Sequence, residues 1–440
     1  VKIFASLNRQ QREAVGLLQI GTFLEYFDLM LYVHMAVLLN DLFFPKTDPH
    51  TASLLSAFAF CSTFVLRPFG ALIFGYIGDN IGRKITVVFT TMLMAVCCLL
   101  MANLPTYAEI GITATWLVTV CRIMQGMTSM GEVMGAEIYV TELVKPPLQY
   151  KTTTYISIAS TLGGLVALGV ATLVTKNGLN WRLGFWIGAS IAVVGSMARS
   201  QLREAPDYAD AKKRMKNTIE NSCADGLEKV AYLLKKTNII NKEKISKKSA
   251  VACILAYCGW PLCFYMGFVY FNTFLKNTFG YSNEDIIQHN FCLAFFPLTS
   301  NIVLAQLSQK FAPLKILKIK ATLLFIFVLT LPYLIISAKN PIQIFAIQSF
   351  ILAFSLDTVP AASIFISNFP IFKRFTTITF SYAFSRALMY VITSFSLIFI
   401  IEIFGYYGLW LIMMPVIVAH LWGVNHFQKL ENSYCYNTKR

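Results

Sequence analysis

The sequence predicts an all-α integral membrane protein, twelve transmembrane helices in two six-helix bundles, and three observations carry that expectation. Of 440 residues, 56% are hydrophobic and only 13% charged, with a mean hydropathy of +0.60; a soluble domain is far less apolar. The apolar residues gather into stretches long enough to cross a hydrocarbon core, which takes about 20 residues per helix. A single long polar segment, 203–249, divides these stretches six and six.

The first six spans are expected at 15–40, 52–78, 85–104, 112–140, 152–175 and 182–201, and the second six at 250–275, 286–309, 316–338, 342–368, 376–401 and 405–427. Loops carrying Pro, Asn and charge separate them. Pro49, Pro105, Lys145-Pro146-Pro147 and Lys176-Asn177 close spans one, three, four and five, and Gly280, Lys310, Lys339-Asn340-Pro341, Pro370 and Gly405 punctuate the second half. These breaks suit a bilayer edge, because Pro and Gly interrupt a helix where water can satisfy the backbone. The organisation expected is a first bundle at 1–202, a basic cytoplasmic linker at 203–249 and a second bundle at 250–440. A cleavable signal peptide is not expected, since the first apolar stretch is span length and lacks a small-residue cleavage site.

Net charge is +15, yet the basic residues follow topology rather than forming a nucleic-acid groove. Lys2, Arg9, Arg12, Arg83, Lys84, Lys145, Lys151, the 203–248 loop, Lys310, Lys315, Lys318, Lys320, Lys373, Arg374, Lys429, Lys439 and Arg440 all fall on one side of the expected spans. The opposite loops hold Lys46, Lys176, Arg182, Lys276 and Lys339. The positive-inside rule therefore places both termini in the cytoplasm, and no nucleic-acid partner is expected. The linker reads as a tether, with helical spacing at 225–236 that suits the membrane surface.

The ten cysteines lie mostly within spans without paired spacing and read as small packing residues. The five histidines do not cluster, and nucleophile elbows and phosphate loops are missing, so neither metal, cofactor nor enzymatic activity is expected. A six-plus-six arrangement around a central loop points instead to a solute pathway between bundles, opened alternately to each side by rocking.

The most telling segment is 67–84, RPFGALIFGYIGDNIGRK, where a hydrophobic helix runs into a charged elbow. Gly75 and Gly78 allow close helix approach and Gly82 allows a tight turn, while Asp79 is placed to accept backbone N–H bonds at a helix N-terminus and to pair with Arg83. Lys84, Arg67 and Glu142 join this set as gating candidates.

The stretch Gly75-Tyr-Ile-Gly-Asp79-Asn-Ile-Gly82-Arg83-Lys84 resembles the signature loop of the major facilitator superfamily, and it stands between spans two and three of twelve. Neighbouring stretches resemble the metabolite:proton symporter family, its proline/betaine branch best. They are Gly21-Thr-Phe-Leu-Glu25-Tyr-Phe-Asp28, Arg67-Pro-Phe-Gly70, Arg122-Ile-Met-Gln125-Gly126, Gly131-Glu132-Val-Met-Gly135-Ala136, Trp181-Arg182 and Leu202-Arg-Glu204-Ala-Pro206. The second half matches less: at 307–320 the repeat of the signature loop is replaced by Gln309-Lys310-Phe311-Ala312-Pro313. The resemblance implies the major facilitator fold, a monomer in the bacterial cytoplasmic membrane, and proton-coupled symport of a small zwitterion or organic acid, with the proton gradient as its energy source. A uniporter or exchanger of an organic acid such as 2-oxoglutarate, citrate or shikimate, and a non-transporting membrane sensor, are the alternatives.

Ionisable groups at span centres cost about 2.5–3.5 kcal/mol each to insert, so each calls for a partner or a task. Glu25 and Asp28 share one face of span one, Arg122 reaches a comparable depth on span four, and Glu132 lies nearer the level of Glu25. Asp28, Glu25 and Glu132 are the proton-coupling candidates, since a carboxylate out of water takes up a proton and an approaching cation expels it. Arg122 is the candidate for a substrate carboxylate or for resetting Asp28. Tyr26, Tyr265, Tyr270 and Tyr382 are candidates to hold a cationic group over their rings, and Arg386 is a further intramembrane charge in the second half.

Overall fold

Long apolar runs leave the backbone no partner but itself, so each folds into helix. The computed structural model describes residues 7–45, 64–176, 180–221 and 243–437, and the described residues contain helices and no strand. In the first half these are α1 (Arg9–Phe43), α2 (Arg67–Asn80), α3 (Arg83–Asn103), α4 (Ile112–Leu143), α5 (Leu148–Lys176) and α6 (Arg182–Ser200). A polar helix, α7 (Pro206–Asn221), begins the linker; the expected surface helix at 225–236 lies outside the described residues.

The second half contains α8 (Lys247–Phe279), α9 (Glu284–Leu307), α10 (Pro313–Ile336), α11 (Pro341–Ala353), α12 (Ala362–Ser367), α13 (Ile371–Val391) with its continuation to Phe404, and α14 (Gly408–Asn437). Helix thus falls on each of the twelve expected spans. Among the described residues, seven helices are long and apolar enough by themselves to cross a membrane.

Local sequence explains the ends. Ser282 and Asp285 form a reciprocal capping box ahead of α9, Asn340 and Gln343 do the same around Pro341 ahead of α11, and Gly280 ends α8 at φ +68°. Within the spans, threonine hydroxyls bond back to carbonyls one turn earlier, as Thr22 does to Leu18 (3.0 Å) and Thr91 to Val87 (2.7 Å), so the apolar medium meets no unsatisfied hydroxyl there.

Spans seven, ten and eleven depart from a simple helix, span eleven through a π turn at Ile392–Ser396. Span ten is broken: α11 stops at Ala353, residues 355–358 are irregular, and α12 starts only at Ala362, because Pro360 offers no N–H and biases Val359 away from helix. Span seven widens to a π turn at Met266–Tyr270, and Gln348 Nε2 donates to the Gly267 carbonyl (2.8 Å) there.

Helix α1 packs along α5, α3 along α6, α8 along α14, and α2 of the first half along α13 of the second. Each half has its own apolar core, and another cluster joins them, with Ala71, Met130, Val133 and Met134 against Ala252, Tyr257, Phe365, Phe375 and Tyr382. Glycine brings α2 close: a Cβ on Gly70 would stand 2.6 Å from the Met127 carbonyl and one on Gly75 2.7 Å from Thr376 Cα. Large apolar side chains, among them Met92, Trp116, Met197 and Phe399, face outward, as a lipid-facing surface requires.

Candidate functional site

The elbow after α2 builds a charge network between the halves. Asp79 accepts from Arg83 Nη1 (3.0 Å) and from the backbone N–H groups of Phe375 (3.0 Å) and Thr376 (2.8 Å) near the start of α13. Arg83 also pairs with Glu142 (3.1 Å) and donates to the Ile371 carbonyl (2.7 Å), and Arg374 of α13 reaches Glu142 (3.1 Å). Asp79, Arg83 and Glu142 are all nearly inaccessible. Every charge has an opposite partner, so the network tolerates burial.

The linker closes this network from outside. Glu204 Oε1 accepts from the backbone N–H groups of Arg83 (2.8 Å) and Lys84 (3.2 Å), which begin α3, so an anion caps a helix N-terminus. Lys84 takes part here through its backbone N–H. Gly82 stands in the two-residue connection from α2 to α3, and a Cβ there would be 2.1 Å from Glu204 Oε2, so the missing side chain also leaves room for that carboxylate. Tyr208 donates to the Asp79 carbonyl (3.0 Å) and lies under Arg83 (4.4 Å). Burial first, then Glu204, Asp79 and Glu142, push its phenol up to about 12 against the opposing pull of Arg83.

Arg67, a gating candidate by sequence, stands outside this network. It is 2% exposed, lies against the Phe64 ring (4.4 Å), and its Nε and Nη2 are buried without hydrogen-bond partners. Its charged neighbours are Glu25 and Arg386.

The intramembrane charges separate into distinct clusters. Asp28 accepts from Gln125 Nε2 (2.6 Å) and from Cys98 Sγ (3.2 Å), and Gln125 in turn accepts from Arg122 Nη1 (2.8 Å). Asp28 and Arg122 are therefore linked through Gln125 rather than in direct contact, and Arg122 lies over the Tyr32 ring (3.8 Å). Glu132 pairs with Arg199 (2.6 Å), which also bonds Thr91 and the Leu18 carbonyl. Arg199 fills the space where Gly21 has no side chain: a Cβ there would be 1.7 Å from Cζ. Although Glu25 shares a helix face with Asp28, it faces Arg67, Arg199 and Arg386, with Oε2 buried and unpartnered.

A cavity opens between the halves. Helices α1, α4 and α5 contribute Tyr26, Glu137 and Ser157, and the second half contributes Tyr257, Trp260, Asn301, Asp357, Tyr382 and Arg386. Tyr26 and Tyr382 hydroxyls are bonded (3.2 Å), Tyr257 meets the Tyr382 ring edge-on at 5.5 Å, and Arg386 Cζ lies 3.3 Å from the Tyr382 centroid. Arg122, Tyr265 and Tyr270, read as substrate-side residues, do not line it. Tyr265 and Tyr270 pack into apolar core instead.

Sequence reasoning passed over several of these groups. Lys320, counted with the cytoplasmic lysines, is buried and pairs with Asp357 of the broken span (3.0 Å). Arg199, Glu204, Arg374, Glu137 and Tyr257 were also missed as site residues. An intramembrane Arg or Glu is itself a signal, but its partner stands on another helix.

Comparison with known proteins agrees with this architecture. The Major Facilitator Superfamily profile matches residues 18–394. The proline/betaine transporter of Salmonella typhimurium is 27% identical over 309 residues, 68% of this chain and 60% of that protein, so the chain spans less than two thirds of it. The Escherichia coli K12 proline/betaine transporter is 26% identical over 378 residues, 83% of this chain and 73% of the relative. The inner membrane metabolite transport protein YhjE of Escherichia coli is 33% identical over 224 residues, covering 48% and 51%. Among solved structures, the proton:xylose symporter XylE bound to 6-bromo-6-deoxy-D-glucose superposes with a TM-score of 0.76 at 14% identity, covering 96% of this chain and 95% of XylE. At that identity the likeness is one of fold.

Proposed function

The chain belongs to the Major Facilitator Superfamily, as a multi-pass membrane transporter, and from that premise we propose that it couples proton entry to uptake of a small zwitterionic or carboxylate metabolite across a bacterial cytoplasmic membrane. The observation that carries this reading is the cavity between the halves, where Glu137 and Arg386 bring opposite charges to one chamber among Tyr26, Tyr257 and Tyr382. Of the two solutes in the relatives' proline/betaine name, proline, a zwitterion that keeps N–H groups, suits such a chamber.

Asp79, Arg83, Glu142 and Arg374 serve as the latch that holds one face shut while substrate enters from the other. The positive-inside rule makes that face cytoplasmic. Asp28 is the proton carrier: its partners are an amide and a thiol rather than a cation, so gaining and losing a proton breaks no ion pair. Arg122, one amide away, shifts that balance when Gln125 moves. Glu132, held by Arg199, fits a fixed ion pair between α4 and α6.

The test is uptake of labelled proline into proteoliposomes under an imposed pH gradient, with betaine, shikimate, citrate and 2-oxoglutarate as competitors. Accumulation that collapses when the gradient is dissipated supports symport. Gradient-independent flux means a uniporter or exchanger, and binding without flux means a sensor.

A further inference from the structure

Three buried side chains that line the cavity, Glu137, Tyr257 and Arg386, have polar atoms with nothing to bond, and two of the three are ionisable groups of opposite sign. Glu137 and Arg386 are each 6% exposed, and Glu137 Oε2 and Arg386 Nη1 are buried with no hydrogen-bond partner. Both line the same chamber, Glu137 from α4 and Arg386 from α13, and Arg386 is the charge that acts on Glu137. An unsatisfied buried charge is costly, and a ligand that brings the complementary group recovers that cost. A guanidinium Nη–H seeks a carboxylate; a carboxyl oxygen seeks an N–H.

The aromatic lining sharpens the demand. A quaternary ammonium, having no N–H, is held best over an open ring face. Here Arg386 already lies over Tyr382 at 3.3 Å, Tyr257 meets that ring edge-on at 79°, and the Tyr26 hydroxyl is tied to the Tyr382 hydroxyl. The Tyr382 face is thus already covered by a cation, and of the two carboxylates lining the chamber Asp357 is held by Lys320 while Glu137 keeps an oxygen without a donor.

We propose that Glu137 and Arg386 form a two-ended clamp that makes the cavity select zwitterions whose ammonium keeps at least one N–H over fully N-methylated ones, with Arg386 on the carboxylate and Glu137 on the N–H. This rests on the zwitterion reading above and sets this chain apart from the relatives' shared proline/betaine name, since betaine carries no N–H. A site built to accept an N–H rejects the analogue without one far more strongly than it rejects extra bulk.

The experiment is counterflow and equilibrium binding of glycine, sarcosine, N,N-dimethylglycine and glycine betaine with the full chain in liposomes. Alanine and 2-aminoisobutyrate, which carry their added methyls on carbon, serve as bulk controls. Affinity is expected to change gradually through dimethylglycine and then to drop on the order of 10- to 100-fold at betaine, the worth of one charge-assisted hydrogen bond. In Glu137→Gln that step shrinks toward the few-fold difference expected of a neutral acceptor. The wild-type ranking decides the matter even if the variant does not fold. Betaine bound as tightly as dimethylglycine, with zwitterions still transported, overturns the clamp and leaves the transport reading standing. Absence of flux and binding for every zwitterion overturns both.

Discussion

Replacing Asp79 by Asn exchanges one carboxylate oxygen for an NH2 group at the contact between the halves, and its cost follows from the geometry. Asp79 Oδ1 accepts from Phe375 N and Arg83 Nη1, and Oδ2 accepts from Thr376 N. Asn offers one oxygen and an NH2 group, so whichever way the amide turns, an NH2 faces a donor and at least one bond from α13 is lost. Arg83 keeps Glu142, so the guanidinium is not stranded. Losing one charge-assisted bond in a buried setting costs about 2–3 kcal/mol, which raises the opening equilibrium roughly 30- to 150-fold at 1.4 kcal/mol per decade. Hydrogen exchange reads this directly, because the two donors are backbone amides. Asp79→Asn should lower protection at Phe375 and Thr376 by that factor while amides in the apolar core of the second half are unchanged. Unaltered protection at both amides, in protein with wild-type core exchange, would refute the latch.

Other outcomes follow from the same contacts. Gly21→Ala places a Cβ where the Arg199 guanidinium stands, so it should break the Glu132 pair and destabilise by about 3–5 kcal/mol; Gly16→Ala, with nothing within 4 Å of its Cβ, is the control, and equal thermal midpoints for the two variants would sink the argument. Asp28→Asn should abolish gradient-driven accumulation yet retain substrate counterflow, and continued accumulation rules out Asp28 as proton carrier. Lys310→Ala, an exposed residue outside the latch network, should leave uptake and exchange at Phe375 unchanged; a loss comparable to that of Asp79→Asn contradicts gating from the first-half loop. The Tyr208 phenol ordinarily ionises near pH 10 and is raised to about 12, so its contribution is intact below pH 10 and lost as pH rises through 12. Amide exchange across the latch should therefore steepen in that window for wild type and less for Tyr208→Phe.

The sequence by itself determined the spans, because crossing a bilayer is a matter of contiguous apolar length and each stretch is read locally. It determined the signature elbow for a related reason: Asp79 and Arg83 stand four apart, and their pairing is a short-range event. Even the costly positions Glu25, Asp28, Arg122 and Glu132 were visible as charges inside apolar runs. What only the tertiary structure decided was the partner of each. Glu204 caps α3 from 121 residues away, Arg199 reaches Glu132 across 67, and Gln125 stands between Asp28 and Arg122. Arg386 and Glu137 share a chamber although they lie in opposite halves. A helix shows its composition in one dimension, but its rotation about its own axis is fixed by neighbours, and rotation selects which face of α1, α4 or α13 meets which charge. The burial of Lys320 against Asp357 belongs to that same order of information, set by packing between helices, whereas Pro360 marks the break in span ten locally.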